Sequence, residues 1–299
     1  MSVSSAGPDL VLAGAARSGT TSLAAQLGAH PDIDPGKIKE SNYFSREFDR
    51  GHDWYDGLYS DRRAGLVRLD ASTSYTSPRY PQALARLVAA APEALVIYAV
   101  RQPTQRALSH YLLRHHFFQN ERAASFGAAL RESDFYIQTS DYTRWIPELR
   151  QTCAEERLLV VPFELITDVP DQVTAEICRQ LGLEPPPDTQ AHARRHRNHV
   201  VQYRNRAART AGRQLRRSPA YPWLRHLLGA GRTRKFRGLI TREAELPSSE
   251  QAMASVDSTQ LERLHALDRQ AGAAVREYLL RQDQRLDLSW TSASFAARQ

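Results

Sequence analysis

The sequence predicts an α/β fold with a central parallel sheet covered by helices on both faces, followed by a basic and mostly helical C-terminal region. Over the first 185 residues, short apolar runs of strand length alternate with segments of helical composition. The runs are almost continuously apolar, as strands buried on both faces are. With 299 residues, 41% of them hydrophobic, the chain is long enough to bury a core and does not have the composition of a disordered protein.

The elements follow in order along the chain. The first strand ends in a glycine-containing turn, and a helix begins directly after that turn. Strands are predicted at 10–14, 66–70, 95–100 and 158–161, and helices at 20–27, 81–90, 106–116, 142–153 and 171–181.

Three prolines at 185–187 interrupt this alternation and predict a boundary. Residues 1–185 are expected to form the α/β core, and residues 186–299 a basic helical part of the same domain. The stretch 189–242 has 15 basic residues and no Asp or Glu, so the net charge of +7 divides into +15 there and −8 elsewhere. A C-terminal helix is predicted from residues at helical spacing, which are Leu261, Leu264, Leu267, Ala271, Val275 and Leu279.

The sequence predicts neither a membrane-spanning nor a secreted protein. No apolar stretch approaches the roughly 20 residues of a membrane helix, and no signal peptide is visible at the N-terminus. Cys153 and Cys178 have no partner at metal-ligand spacing and are expected to be buried thiols in a reducing compartment. A cytoplasmic location is therefore predicted, with peripheral attachment to an anionic membrane surface as one open use of the basic stretch.

Residues 14–21, with the sequence GAARSGTT, lie between the first strand and the first helix, where backbone N–H groups and a helix N-terminus can bind an anion. The loop has Thr20 where an ATP-binding P-loop has lysine, and its cation is Arg17. This difference disfavours phosphoryl transfer from ATP. An ordinary strand-to-helix turn is the alternative.

A second motif follows the third strand, where Arg101 can bind phosphate through two N–H groups and Pro103 suits the start of a helix. Ser109 lies about two helical turns further on and offers a hydroxyl. Taken alone, the pattern R-x-P-x-x-R-x-x-S-x-Y also fits a solvated amphipathic helix with Tyr111 in the core.

Together these residues resemble the sulfotransferase superfamily, whose sulfuryl donor is 3′-phosphoadenosine 5′-phosphosulfate. Residues 14–21 resemble its P-loop-like 5′-phosphosulfate loop, and Arg101 with Ser109 resembles its 3′-phosphate pair. Lys39 and Glu40, followed by aromatic residues, are similar to a segment of the carbohydrate (heparan-type) branch, and Phe163-Glu164-Leu165 is similar to another family segment. The resemblance covers roughly residues 9–183.

The resemblance implies a set of roles. Glu40 would be the general base, Lys39 would fix anions of donor or acceptor, and Arg17 would stabilise the leaving phosphate. Well-known members carry lysine at the position of Arg17; arginine keeps the charge but does not donate a proton. A solvated surface pair is the alternative for Lys39 and Glu40. The implied donor-binding residues are Arg17, Ser18, Gly19, Thr20, Thr21, Ser22, Arg101, Ser109 and, on a looser match, Arg232, Arg234 and Lys235.

No metal is required by this scheme, although His192, His196 and His199 have helical spacing. The acceptor is expected to be a hydroxyl of a sugar, glycolipid or secondary metabolite. Residues 70–75, with the sequence DASTSY, occupy the place of acceptor-contacting residues in related enzymes but equally fit a capped turn. The basic stretch is predicted to be a cofactor lid, a groove for an anionic acceptor or a membrane contact.

Two rival functions remain open. One is an ATP-using P-loop kinase, which the position of Arg17 and the second motif disfavour. The other is a nucleic-acid-binding protein acting through 189–242, which has no recognition motif and is therefore not the expected partner class.

Overall fold

The computed structural model describes residues 7–60, 66–186, 201–203, 241–243 and 248–286. Five parallel strands form one sheet in the order β2-β3-β1-β4-β5. They are β1 (Leu10–Gly14), β2 (Ile33–Asp34), β3 (Val67–Asp70), β4 (Leu95–Val100) and β5 (Leu158–Pro162). The predicted fold class is confirmed, and β2 is a strand that the sequence did not reveal.

The helices of the core follow the strands closely. Those preceding the prolines are α1 (Thr20–Leu27), α2 (His52–Asp56), α3 (Ala83–Ala90), α4 (Pro103–Leu112), α5 (Phe126–Glu132), α6 (Phe135–Ser140), α7 (Tyr142–Thr152), α8 (Phe163–Asp168) and α9 (Pro170–Gln180). Helix α4 continues into a π-helical turn, Leu113–Phe117. After the prolines come α10 (Ser249–Met253) and α11 (Ser258–Leu286).

Side chains of the strands alternate between two apolar layers, because successive residues of a strand point to opposite faces. On one face, Leu12 and Ile97 pack with α1 and α9. On the other, Val11 and Val96 pack with α3, α7 and α11. Helices therefore cover both faces of the sheet, as its apolar strands required.

Helix α11 covers the edge of the sheet at β5. The side-chain amide of Gln282 donates to the carbonyl of Val160 at 3.1 Å and accepts from its N–H at 2.9 Å. This pairing occupies backbone groups that an edge strand would otherwise expose. The C-terminal helix predicted from residues at helical spacing is confirmed as α11. Of those six residues five are buried, and Leu261 is 37% exposed.

The ends of the basic stretch include two short strands, β6 (Val201–Tyr203) and β7 (Thr241–Glu243), which pair antiparallel. The predicted lid residues Arg232, Arg234 and Lys235 lie outside the described residues, as do the three histidines at 192, 196 and 199. The division of the chain at 185 stays a prediction.

Both cysteines are buried, as predicted, and neither forms a disulfide. Burial raises the pKa of Cys153 to about 11 and also raises that of Cys178. Among the helices that the structure describes, none combines the length and apolar character needed to cross a membrane.

Candidate functional site

The predicted site segments lie after the carboxyl ends of the five strands. Residues 14–21 follow β1, Lys39 and Glu40 come after β2, and residues 70–75 extend from the end of β3. Arg101 follows β4, and Phe163 begins the helix after β5. Since all five strands are parallel, these segments share one edge of the sheet, where ligands of open α/β sheets bind.

The loop after β1 has an unusual backbone. Gly19, immediately before α1, has φ +84°, and Arg17 has φ +75°, a conformation that side-chain-bearing residues rarely adopt. Within the described residues, the amides of Gly19, Thr20 and Thr21 donate to no group, whereas those of Ser18 and Ser22 bond inside the turn. The loop thus presents free N–H groups at a helix N-terminus beside an arginine in a strained conformation.

The two segments that were predicted to bind phosphate meet through their side chains. Nε of Arg17 donates to Oγ of Ser109 at 3.0 Å, joining the loop after β1 to α4. The pKa of Arg17 is lowered by burial and by the charge of Arg101. No carboxylate in the described part of the chain forms an ion pair with either arginine. Burial lowers the pKa of Arg101, and the negative charge of the nearby Glu164 partly opposes this shift. Two cations that share a partly buried site and form no ion pair in the described structure favour an anionic ligand.

Other polar groups of the site also lack partners. Ser18 is fully buried, yet its hydroxyl meets no hydrogen-bond partner among the described residues, and the same holds for Nε of Arg101. The guanidinium of Arg101 lies 4.6 Å from the ring centroid of Phe163. Buried polar atoms without partners are costly, so these atoms are suited to bind a phosphate or sulfate oxygen.

Distant residues hold Arg101 and the start of α4 in place. The hydroxyl of Tyr142 accepts from the N–H of Arg101 at 3.1 Å and donates to its carbonyl at 2.8 Å. Asp268 of α11 accepts from the N–H of Thr104 at 2.9 Å and from the side chain of Gln102 at 3.1 Å. A carboxylate at a helix N-terminus is stabilising, so α11 fixes the orientation of α4.

Arg106 is a site residue to which the sequence assigned no role. Its guanidinium is fully buried and donates to the carbonyls of Ala16 and Tyr136 at 3.1 and 3.0 Å and to Oγ of Ser140 at 2.6 Å. Burial lowers its pKa to about 10. It therefore anchors the loop after β1 to α4 and α6, and the second arginine of the R-x-P-x-x-R pattern was the signal that could have identified it.

Lys39 and Glu40 form an ion pair of 2.8 Å, with side chains 32% and 41% exposed. In the described structure they make no hydrogen bond or ion pair with Arg17, Arg101 or Ser109. The residues after Glu40 are buried and bond to the segment after β3, which in turn contacts β1 where Thr76 donates to the carbonyl of Ala13 at 2.8 Å. The general-base candidate is thus linked to the loop after β1 through residues 70–76.

Two histidines, one in α4 and one in the π-helical turn, have a lowered pKa. His110 contacts Arg106, with 3.1 Å between Nδ1 and the guanidinium, and burial followed by the charge of Arg106 lowers its pKa well below 6.5. Burial also lowers the pKa of His116. Within the described ranges, no group of three or more His, Cys, Asp or Glu is placed to hold a metal ion.

Comparison with known proteins adds a family context. A sequence model described as "Sulfotransferase family" matches residues 40–187. Human "Heparan sulfate glucosamine 3-O-sulfotransferase 3B1" is 32% identical over 104 residues, covering 35% of this chain and 26% of the relative. "Bifunctional heparan sulfate N-deacetylase/N-sulfotransferase 1" of Caenorhabditis briggsae is 30% identical over 110 residues, covering 35% of this chain and 12% of the relative. The chain thus spans about a quarter or less of the length of these curated relatives.

A solved structure is also similar. The "Crystal Structure of Sulfotransferase from Alicyclobacillus acidocaldarius" superposes with a TM-score of 0.54 and 26% identity, covering 61% of this chain and 85% of that chain.

Proposed function

Because this chain belongs to the sulfotransferase superfamily, we propose that it is an O-sulfotransferase that uses 3′-phosphoadenosine 5′-phosphosulfate and an acceptor hydroxyl. One observation carries the proposal: Nε of Arg17 lies 3.0 Å from Oγ of Ser109, which joins the two segments that resemble the donor-binding motifs. ATP-dependent phosphoryl transfer is disfavoured because Thr20 stands where a P-loop kinase needs lysine.

The residues present fit a doubly phosphorylated donor. The unpartnered Nε of Arg101 and the hydroxyl of Ser109 would hold the 3′-phosphate. Arg17, the hydroxyl of Ser18 and the N–H groups of residues 19–21 would hold the 5′-phosphosulfate, with Ser22 in the same helical turn. When bound, the donor supplies the sulfuryl group.

The chain's own residues would then move a proton and neutralise charge. Glu40 would take the proton of the acceptor hydroxyl on its carboxylate. Lys39, whose Nζ lies 2.8 Å from that carboxylate, would fix anions of the donor or the acceptor. Arg17 would neutralise the negative charge that develops at the 5′-phosphate. Because arginine keeps its proton, its contribution is electrostatic.

We propose a sugar hydroxyl as the acceptor class, with a glycolipid or secondary-metabolite alcohol as related possibilities. The similar proteins described above are named for heparan sulfate, and residues 39–44 resemble the carbohydrate branch. Closure over the donor by Arg232, Arg234 and Lys235, contact with an anionic membrane surface and a cytoplasmic location remain predictions.

Donor binding is tested by thermal unfolding with adenosine 3′,5′-bisphosphate in the absence of magnesium. We expect a rise in melting temperature that depends on ligand concentration. Stabilisation by magnesium ATP alone would refute the proposal. A steeply salt-dependent affinity for DNA, without bisphosphate binding, would favour the nucleic-acid alternative.

The general base is tested by Glu40→Gln, with Glu47→Gln as a matched control. Glu47 is also a partly exposed acid in an ion pair, 3.3 Å from Arg46. Loss of a general base reduces turnover by about 10²- to 10⁴-fold. We therefore expect Glu40→Gln to lose turnover in that range while its bisphosphate affinity is unchanged, and Glu47→Gln to behave as wild type. Near-normal turnover of Glu40→Gln would remove Glu40 from this role.

A further inference from the structure

The carboxylate of Asp70, at the end of β3, is only 1% exposed and accepts hydrogen bonds from four hydroxyls. Oδ2 accepts from Ser41 at 2.7 Å, Tyr75 at 2.7 Å and Tyr55 at 3.0 Å. Oδ1 accepts from Ser72 at 2.5 Å. No cationic side chain of the described structure forms an ion pair with it, so hydroxyls alone compensate its burial.

Three of these hydroxyls also accept hydrogen bonds from backbone amides of the loop after Glu40. The amide of Asn42 donates to Oγ of Ser72 at 2.9 Å. The amides of residues 43 and 44 donate to Oγ of Ser41 and to the hydroxyl of Tyr75, at 3.1 and 3.5 Å. Every acceptor of these consecutive amides is therefore itself bonded to Asp70.

Hydrogen bonds of Asn42 extend this network to the backbone of Glu40. Nδ2 of Asn42 donates to the carbonyl of Glu40 at 2.9 Å, and Oδ1 of Asn42 accepts from Ser74 at 2.8 Å. Asn42 has φ +51°, a backbone conformation that needs support from its surroundings. The Glu40 side chain is 41% exposed and its ion pair is with its sequence neighbour, so that pair cannot fix the loop to the sheet.

The same segment after β3 also bonds to the end of β1, directly before the loop that carries Arg17. Thr76 donates to the carbonyl of Ala13, and a Cβ at Gly14 would overlap with Oγ1 of Thr76. Glycine at position 14 allows this close approach. Residues 70–76 thus contact both the loop that carries the general-base candidate and the loop that carries Arg17.

We propose that Asp70 is a positioning residue that holds Glu40 at a fixed distance from the donor-binding loop, through Ser41, Ser72 and Asn42. The proposal rests on the proposed function, because it assigns Asp70 to the reaction that Glu40 would serve. Asp70 does not touch donor or acceptor, and acts through the backbone of residues 40–44.

The principal variant is Asp70→Asn, which keeps the shape but replaces one acceptor oxygen by a donor that the hydroxyls cannot bond in the same way. We expect turnover to fall at least tenfold, the affinity for adenosine 3′,5′-bisphosphate to stay within twofold, and hydrogen exchange at the amides of 42–44 to accelerate at least tenfold. Unchanged exchange at 42–44, or a loss of bisphosphate affinity equal to the loss of turnover, would overturn the proposal.

A milder pair of variants covers the case in which Asp70→Asn does not fold. Tyr75→Phe removes a hydroxyl that bonds Asp70, whereas Tyr59→Phe removes a neighbouring buried hydroxyl that bonds Tyr55 and the carbonyl of Leu69. We expect exchange at 42–44 and turnover to change in Tyr75→Phe and to stay within twofold of wild type in Tyr59→Phe. Equal effects of both variants would mean that Asp70 only stabilises the core.

A double-variant cycle separates positioning from general stability. If Asp70 acts through Glu40, Asp70→Asn causes no further loss of turnover in the Glu40→Gln background, and additive losses would overturn the proposal. Failure of the proposed function looks different: the wild-type protein would not bind the bisphosphate, while exchange at 42–44 would still report whether Asp70 holds the loop.

Discussion

Lowering the pH from 8 to 5 is expected to destabilise the protein through His110. Guanidinium N–H groups only donate, so Nδ1 of His110 accepts from Arg106 at 3.1 Å and the ring proton sits on Nε2. The ring lies 5.3 and 5.5 Å from the ring centroids of Phe135 and Tyr136. Burial of the ring disfavours the charged form, and a second proton would also break the bond to Arg106 and place a cation beside several arginines; both effects lower the pKa of His110.

The direction and the size of this change in folding stability follow from the difference in proton binding between the folded and the unfolded chain. Below the ordinary pKa of 6.5, the unfolded chain binds a proton at His110 that the folded protein does not bind. Stability is therefore fully present above that pH and falls as the pH decreases. At about 1.4 kcal/mol per pH unit over the interval from 6.5 to 5, the loss of stability is at most about 2 kcal/mol.

Urea unfolding of the wild-type protein and of His110→Gln, measured at pH 8 and pH 5, isolates this contribution. All other titrating groups are shared, so the stability difference between the two proteins should shift in favour of the variant at pH 5, by at most about 2 kcal/mol. A stability difference that is the same at both pH values would refute the reasoning.

Two further predictions concern stability. Arg106→Met should lower the free energy of unfolding by about 2 to 4 kcal/mol in urea denaturation, because it removes the hydrogen bonds to the carbonyls of Ala16 and Tyr136, to Oγ of Ser140 and to Nδ1 of His110; a loss below about 1 kcal/mol would contradict the anchoring role. Leu279→Ala should cost about 2 to 5 kcal/mol because its side chain is fully buried, whereas the neighbouring Leu280→Ala, 55% exposed, should change stability by about 0.5 kcal/mol or less; equal costs would contradict the packing of α11.

The sheet was predictable where apolar runs are long and sharply bounded. Strands β1 and β4 match their predicted limits, since Gly14 and Arg101 mark where each run stops. Strand β2 has only two residues, Ile33 and Asp34, and forms because β3 pairs with it. A strand this short has no local sequence pattern that could predict it. Leu261 has the spacing of the buried face of α11 but is 37% exposed, because periodicity alone does not show how far the neighbouring elements extend along a helix.

The candidate site was also predictable from the sequence only in part. The segments that carry Arg17 and Ser109 were identified by resemblance, and the structure brings those two side chains together. The environment of Asp70 was not predictable, because an Asp followed by small hydroxyl residues fits a capped turn equally well. Its partners include Ser41, 29 positions earlier, so only the folded chain shows that the carboxylate is enclosed.

Helix α11 has a consequence for how the protein is made. During synthesis, every described segment of the donor site leaves the ribosome before Asp268 and Gln282 do. Until then, the N-terminus of α4 lacks its carboxylate partner and β5 remains an unpaired edge, which favours association with other chains. We therefore expect a nascent chain to contain the described residues that are proposed to bind phosphate before it can be active, and docking of α11 to be the folding step that completes the proposed site.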